Sequence, residues 1–591
     1  MAKITGENSY SIFQIKRWLG LNESPAGDTA LKMGEASAMR NFRITREGHL
    51  QIRPGYSAVC ILQDGEPVQG IWCGYVDNEF HLLAACGGQV WDIDIDTWNA
   101  ESIGDIDEGK VFFFGFAGNV YMLTGNEYYC WDGSGPVSVV NGYTPIVVTA
   151  SPPEGGGTSL ERINTLTGKR RGQYSPDGKS TVFHLPERDI NEVLYVDGTD
   201  ISWVADIESG TITFSSPPPE GVNTLTFTWR KGAGDRHRVT SMKFAEVYNG
   251  DTDSRVFFYG DGTNKSVYSD LDENGIPSAE YFPEMNVVDV DSANTPVTAM
   301  IRHYDRLMVY KQDGAFCLQA RTISAEGGSV TAGFTCIPVN REIGNDAIGQ
   351  ARLIRNNPVT LHNKGIYQWS LSSAGSRDER NAKRISQRIE ETLDSFDLRN
   401  CVTFDDEAEQ ELYIISDSHA IVYGYESDAW YYYTGLGALN MIRAQNHLLF
   451  GSLDGRIMRF SRDYHSDFGR DIDAYWESGA MDLGSEWRVK HISNVWVAAK
   501  PESRGRIMVT LESERKSDYP VNEVSYSFST FANASFSHWS FSTSRKPKVI
   551  RVKAKVKKFT FCKLILFSKS ATSTATVLGA NFQIRYTGNV K

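Results

Sequence analysis

Apolar and polar positions alternate with a period of two along most of the chain, the pattern of half-buried strands. "MRNFRITREGHLQIRPGY", residues 39–56, is the first clear case. There "NFRI" and "HLQIR" flank "TREG", which predicts two short strands around a turn at Gly48, and Pro54-Gly55 stops the second strand. From residue 68 onward the pattern acquires a rhythm. "GIWCGYVDNEFHLLAACGGQVWDIDIDTW" and "KVFFFGFAGNVYMLTGNEYYCWDG" each read as successive strands broken by Asp-Asn, Gly-Gly or Gly-Asn turns. Similar units begin at Ser254, Pro296, Ala351, Asn400 and Met441. Four-strand units recurring every ~40 to 60 residues are the mark of a β-propeller. The competing arrangement of the same strands is an array of β-sandwiches.

Two segments interrupt the rhythm. Residues 145–232 start with the flexible stretch "ASPPEGGGTS" and continue as five strand-like runs, which predicts a small β-sandwich inserted between blades. Residues 470–591 form another all-β block after the last blade. Residues 11–40 read as an extended arm with little regular structure. One short helix is expected in "ERNAKRISQRIEETLDSF", where Ile385, Ile389 and Leu393 recur every four residues. The predicted fold class is all-β: a β-propeller with an inserted small β-sandwich domain and a C-terminal β domain. The expected division is an arm and hairpin (1–66), first blades (67–144), inserted sandwich (145–232), remaining blades (233–469) and C-terminal domain (470–591).

Size and charge narrow the function classes. A chain of 591 residues exceeds what one core supports, and 41% hydrophobic content suffices for several. No run of about 18 apolar residues predicts a membrane span, and the first residues lack the apolar core of a signal peptide. The eight cysteines are scattered without C-x-x-C spacing, which suggests neither a disulfide framework nor a zinc site and fits a reducing cytoplasm. A net charge of -13 argues against a general DNA or membrane binder.

Few residues suggest chemistry. Asp92, Asp94 and Asp96 would line one face of a strand about 6.6 Å apart, a spacing that could hold calcium, although a solvated strand face is the commoner outcome. "DLDENGIPSAEY" from Asp270 resembles a calcium loop, but Tyr281 stands where the closing glutamate belongs and Pro277 interrupts it, so a turn-rich loop is expected. His303 and His447 fall in blade-like strands, where packed imidazoles are the default. "SPDGKS" and "SLDGRI" resemble sialidase turn motifs without completing them. No nucleophile elbow, phosphate-binding loop or carboxylate pair is recognisable, so no catalytic residue, metal ligand or cofactor is assigned. "RKPKVIRVKAKVKKF" places Arg551, Lys553, Lys555 and Lys557 on one face of a strand with Val552, Ala554 and Val556 on the other. Cations in such a row repel and seek an acidic surface or a phosphate backbone, unless the strand is simply a solvated outer one.

"GLNESPAGDTALKMGEASAMRNFRITREGHLQIRPGY" resembles the opening segment of phage tail nozzle proteins, also called tail tubular protein B or packaged-DNA stabilisation proteins of short-tailed phages. Asn41, Gly48, Leu50, Arg53, Pro54 and Gly55 match the family's Asn, hairpin glycine and Arg-Pro-Gly closure. "YSDLDENGIPSAEYFPEMNVVDV" and "MIRHYDRLMVYKQDGAFCL" are similar to later family stretches, and "GKSTVFHL" and "GTITFSSPPPEG" to inserted β-modules of phage tail components. The resemblance runs in patches from about residue 20 to 340, and the C-terminal domain departs from it. It implies a non-enzymatic virion protein, assembled in the host cytoplasm into a homo-oligomeric ring, a hexamer in this family. The ring would sit below the head-to-tail adaptor, meet tail fibre, spike or needle proteins, and let packaged double-stranded DNA pass without sequence specificity. The hairpin residues Asn41, Arg43, Arg46, Gly48, Arg53, Pro54 and Gly55 would then dock subunits, with Arg40, Arg43, Arg46 and Arg53 gripping acidic edges of neighbours. The channel would be lined by Asp, Glu, Ser and Asn, and the basic strand would face a neighbour. The alternative is a tail-associated propeller that binds or cleaves carbohydrate.

Overall fold

The computed structural model describes residues 10–23, 28–249, 254–292, 294–324, 330–370, 381–502, 504–526, 546–552 and 555–590. Strands dominate it, and the chain is all-β. Six consecutive four-stranded meanders occupy residues 68–105, 112–139, 244–289, 297–340, 352–384 and 402–434. A seventh is made of Asn440–Ala444, His447–Gly451 and Arg456–Ser461, and its fourth strand, Gly55–Ile61, comes from the other end of the chain. These are the blades of a β-propeller. Neighbouring blades touch through their first strands, with the fourth blade meeting the fifth at Asn357–His362, and the succession returns from Asn440–Ala444 to Val68–Val76. Local chemistry explains the meanders. Asp77 (φ 47°) and Asn78 (φ 67°) adopt the left-handed pair that a two-residue hairpin requires, as do Gly87 and Gly88.

Between the second and third blades, residues 146–230 fold into two sheets, one of five strands and one of three. Tyr174, Phe183, Phe214, Phe227 and Trp229 fill the space between them. This is the inserted β-sandwich.

The C-terminal domain is a second two-sheeted body, and the N-terminal segment is built into it. Ser11–Ile15 pairs with Ala580–Ile584 of the last long strand, Glu35–Arg40 pairs with Arg470–Ser478, and the hairpin Phe42–Ile44/Leu50–Ile52 joins at Thr576 and Val577. Three paired strands, Ser11–Ile15, Gly20–Leu21 and Glu35–Arg40, thus anchor a segment expected to have little regular structure, with irregular stretches between them. Trp18 decides this segment's fate: it is fully buried and packs edge-on against Trp476 with ring centroids 4.7 Å apart, a contact stronger than its area alone. One hydrophobic core runs from Ile15 and Trp18 through Phe42 and Ile52 to Tyr431 of the sixth blade and Phe582 of the sandwich. The expected helix shrinks to Glu390–Asp394, and Ala382–Arg384 instead closes the fifth blade, because pairing with Tyr367–Trp369 outweighs local helical spacing. Glu379 and Arg380, at the start of that expected helix, lie outside the described residues.

Candidate functional site

Charged side chains gather at three places: the hairpin junction, the propeller hub and a cleft in the C-terminal sandwich. At the junction, the hairpin lies along Ala429–Thr434, the outer strand of the sixth blade. Asn41 takes a left-handed backbone (φ 55°) and is buried. Its Nδ2 donates to Thr434 Oγ1 (2.8 Å) and to the Asp473 carbonyl (2.9 Å), while its Oδ1 accepts from Arg53 Nε (2.9 Å) and from Thr434 N–H (2.9 Å). Arg53 is 2% exposed and binds both oxygens of Asp467, at 2.8 and 2.5 Å, with a further bond to the Thr434 carbonyl. Arg43 reaches Glu409 at 2.9 Å and Glu411 at 3.1 Å. Burial works against the Arg43 charge, but Glu411 prevails and holds the guanidinium firmly protonated. Arg46 donates to the Ala408 carbonyl (2.6 Å) and faces Glu426. Arg40 pairs with Asp473. Gly48 supplies the positive φ of the hairpin turn, and Gly55, after Pro54, passes so close to Ser466 that a Cβ would sit 2.2 Å from its carbonyl oxygen. The acidic partners expected on a neighbouring subunit are thus supplied by the same chain, because the hairpin is sandwiched between its own propeller and C-terminal domain.

The hub is formed by the first strands of the blades. Glu246 accepts from Arg302 N–H (3.0 Å), and burial raises its carboxyl to about 7. Asp405 is likewise pushed to about 7 by burial, against the Tyr425 hydroxyl. Arg352 lies within electrostatic reach of both and is held by the Thr403 and Ala351 carbonyls. Nothing in the sequence marked these residues: they come from three blades, separated by 106 and 53 positions (352 − 246 and 405 − 352).

The third place contains the basic strand. Among the described residues Lys548–Val552 pairs with Val495–Ala499 alone, and Lys557–Phe559 pairs with the other end of the same long strand. Arg551, Lys555 and Lys557 are exposed, and Lys553 lies outside the described residues. Arg515 and Lys516, which sequence reading did not single out, join them around a cleft of about 880 Å³. Burial first, then Lys557, Arg585 and Lys555, keeps the nearby His491 imidazole below its usual range.

The remaining candidates are structural. The strand Gln89–Ile93 ends before Asp94, so Asp92, Asp94 and Asp96 do not share a strand face: Asp92 binds His81 Nδ1 (2.8 Å), and Asp94 caps a turn through Asp96 and Thr97 N–H. Asp270 pairs with Arg255, and Asp272 accepts from Asn274 and Ile276 N–H, which closes a turn. Asp177 of "SPDGKS" caps its own turn as well. His303 is buried and His447 packs on Trp98 at 5.5 Å.

No family model matches the chain, and no curated protein matches it. Solved structures similar to parts of it include the computationally designed Ika8 protein (10% identity, 68% of this chain and 99% of that one, TM-score 0.33). The AfRom2 CNH domain is another (8% identity, 69% and 98%, TM-score 0.35). A third is the extracellular domain of the putative one-component system BT4673 from B. thetaiotaomicron (11% identity, 83% and 76%, TM-score 0.24). The fold assignment rests on the chain's own sheets. Among the described residues no helix is long and apolar enough to cross a membrane.

Proposed function

We propose that this chain is a structural, non-enzymatic subunit of a phage tail nozzle. Copies of it form a ring below the head-to-tail adaptor and enclose a channel that retains the genome and then conducts it. One observation supports this reading most directly: the propeller and the C-terminal sandwich are joined without a loose linker. A continuous path of paired strands runs from Asn440–Ala444 through Gly55–Ile61 and Ser466–Asp467 into Arg470–Ser478, and a single hydrophobic core spans the two bodies. A conduit wall under load requires such stiffness, whereas domains that move independently meet across separate, smaller interfaces. The net charge of -13 suits a wall that does not adhere to passing phosphates. In the virion the adaptor, tail fibre, spike or needle proteins would be the neighbours. Sizing the purified chain from micromolar concentrations upward tests the proposal. It expects a discrete species at a multiple of 66.0 kDa, six-fold for a hexamer, and monomer at every concentration contradicts it.

The hub gives a second reading, carbohydrate cleavage, one observation of its own. Glu246 and Asp405, both near 7, have the protonation behaviour of a general acid. A reducing-end assay on bacterial polysaccharides, with Glu246→Gln and Asp405→Asn as controls, separates the two. Release of sugar ends that both substitutions abolish would replace the nozzle with a glycosidase.

A further inference from the structure

The cleft in the C-terminal sandwich concentrates positive charge on a chain that is acidic as a whole. Arg551, Lys555 and Lys557 come from one wall, and Arg515 and Lys516 from the turn that follows Gly505–Ser513. The rest of the lining is neutral, and no carboxylate is part of it among the described residues. Nearby acids are otherwise engaged. Glu514 accepts from Thr560 N–H (2.5 Å) and Phe561 N–H (3.1 Å), and Asp518 meets Lys516 at 3.4 Å in a pair that solvent screens. Five cations crowded this way repel one another until an anion enters.

We propose that this cleft grips the phosphodiester backbone of nucleic acid without reading bases. Charge density favours that ligand. A nucleic-acid strand carries one full charge every ~3.4 Å of rise, whereas an extended acidic peptide presents one carboxylate per ~6.7 Å on a given face. Two of the five cations are arginines, whose planar fork matches phosphate oxygens in pairs. The neutral groups that could read or stack on bases are engaged or buried: Asn494 Nδ2 is committed to Gln583 Oε1 (2.6 Å), its Oδ1 is buried, and Lys516 covers the Tyr519 ring at 5.4 Å. The inference stands apart from the ring reading, which asks the rest of the chain to repel DNA.

Fluorescence anisotropy of the full chain with labelled single-stranded and duplex oligonucleotides of unrelated sequences tests it. With about four phosphates neutralised, the log–log salt slope is about -3.6 for duplex and about -2.8 for single strands, so affinity falls roughly 150-fold and roughly 50-fold, respectively, between about 50 and 200 mM salt. Lys555→Glu/Lys557→Glu should reduce the duplex slope to about -2 and weaken binding at least tenfold at low salt. Arg515→Gln/Lys516→Gln, on a different segment, should act in the same direction. Both double variants change exposed side chains and should keep the wild-type elution volume and melting curve. Lys265→Glu, on the third blade, should bind like wild type. Unchanged affinity and slope in both double variants would overturn the proposal. So would polyglutamate displacing the oligonucleotide as well as unlabelled DNA does at equal charge, since that would make the cleft a dock for acidic protein. A chain that binds nucleic acid but never forms rings would refute the nozzle and leave this site standing.

Discussion

Arg53 shows how much one side chain holds in place. Its guanidinium is buried, ties Asp467 with two bonds, orders Asn41 and caps the Thr434 carbonyl. Removing one partner of a buried ion pair leaves the other charge unpaired, which typically costs about 3–5 kcal/mol. Arg53→Ala is therefore expected to lower stability by that amount in chemical denaturation. Arg53→Lys should recover only a minor part, because an ammonium cannot supply the bidentate geometry. If both variants unfold like wild type, the junction contributes little to holding the two bodies together. The sequence already exposed this residue through the Arg-Pro-Gly closure, but not its partner: Asp467 lies 414 positions away and carries no local signal.

At the scale of elements, strands were far more legible than their pairing. Two-residue turns such as Asp77-Asn78 announce themselves because few residues tolerate positive φ. The role of Gly55–Ile61 in completing the seventh blade, and of Ser11–Ile15 in the C-terminal sandwich, could not be read locally, since both depend on partners at the far end of the chain. The expected helix failed for a related reason: edge pairing in the fifth blade captured Ala382–Arg384. The hub makes a pH prediction at this scale. Burial holds Glu246 at about 7, well above the usual glutamate value, so the folded chain binds that proton more tightly than the unfolded chain. Its stabilising contribution is complete below about pH 4.5 and is lost as pH rises towards 7. Urea midpoints measured from pH 4.5 to 8 should thus decline less steeply for Glu246→Gln than for wild type. Parallel curves would mean that Glu246 ionises in the hub as freely as in water.

For the whole molecule, three bodies share one chain, and the first described strand, Ser11–Ile15, pairs with the last, Thr576–Asn589, in the third of them. Within one chain, the hairpin expected to dock neighbouring subunits ties the propeller to the C-terminal sandwich. The sequence conveyed the propeller, the insertion and the resemblance to nozzle proteins, but not the cleft, because Arg515 and Lys516 join the basic strand only once the sheets have formed. Single-particle averaging of the assembled protein tests the central claim most directly. A nozzle subunit gives a closed ring of identical copies around an axial channel lined mainly by Asp, Glu, Ser and Asn. Isolated propellers, or a channel lined by Lys and Arg, would contradict it.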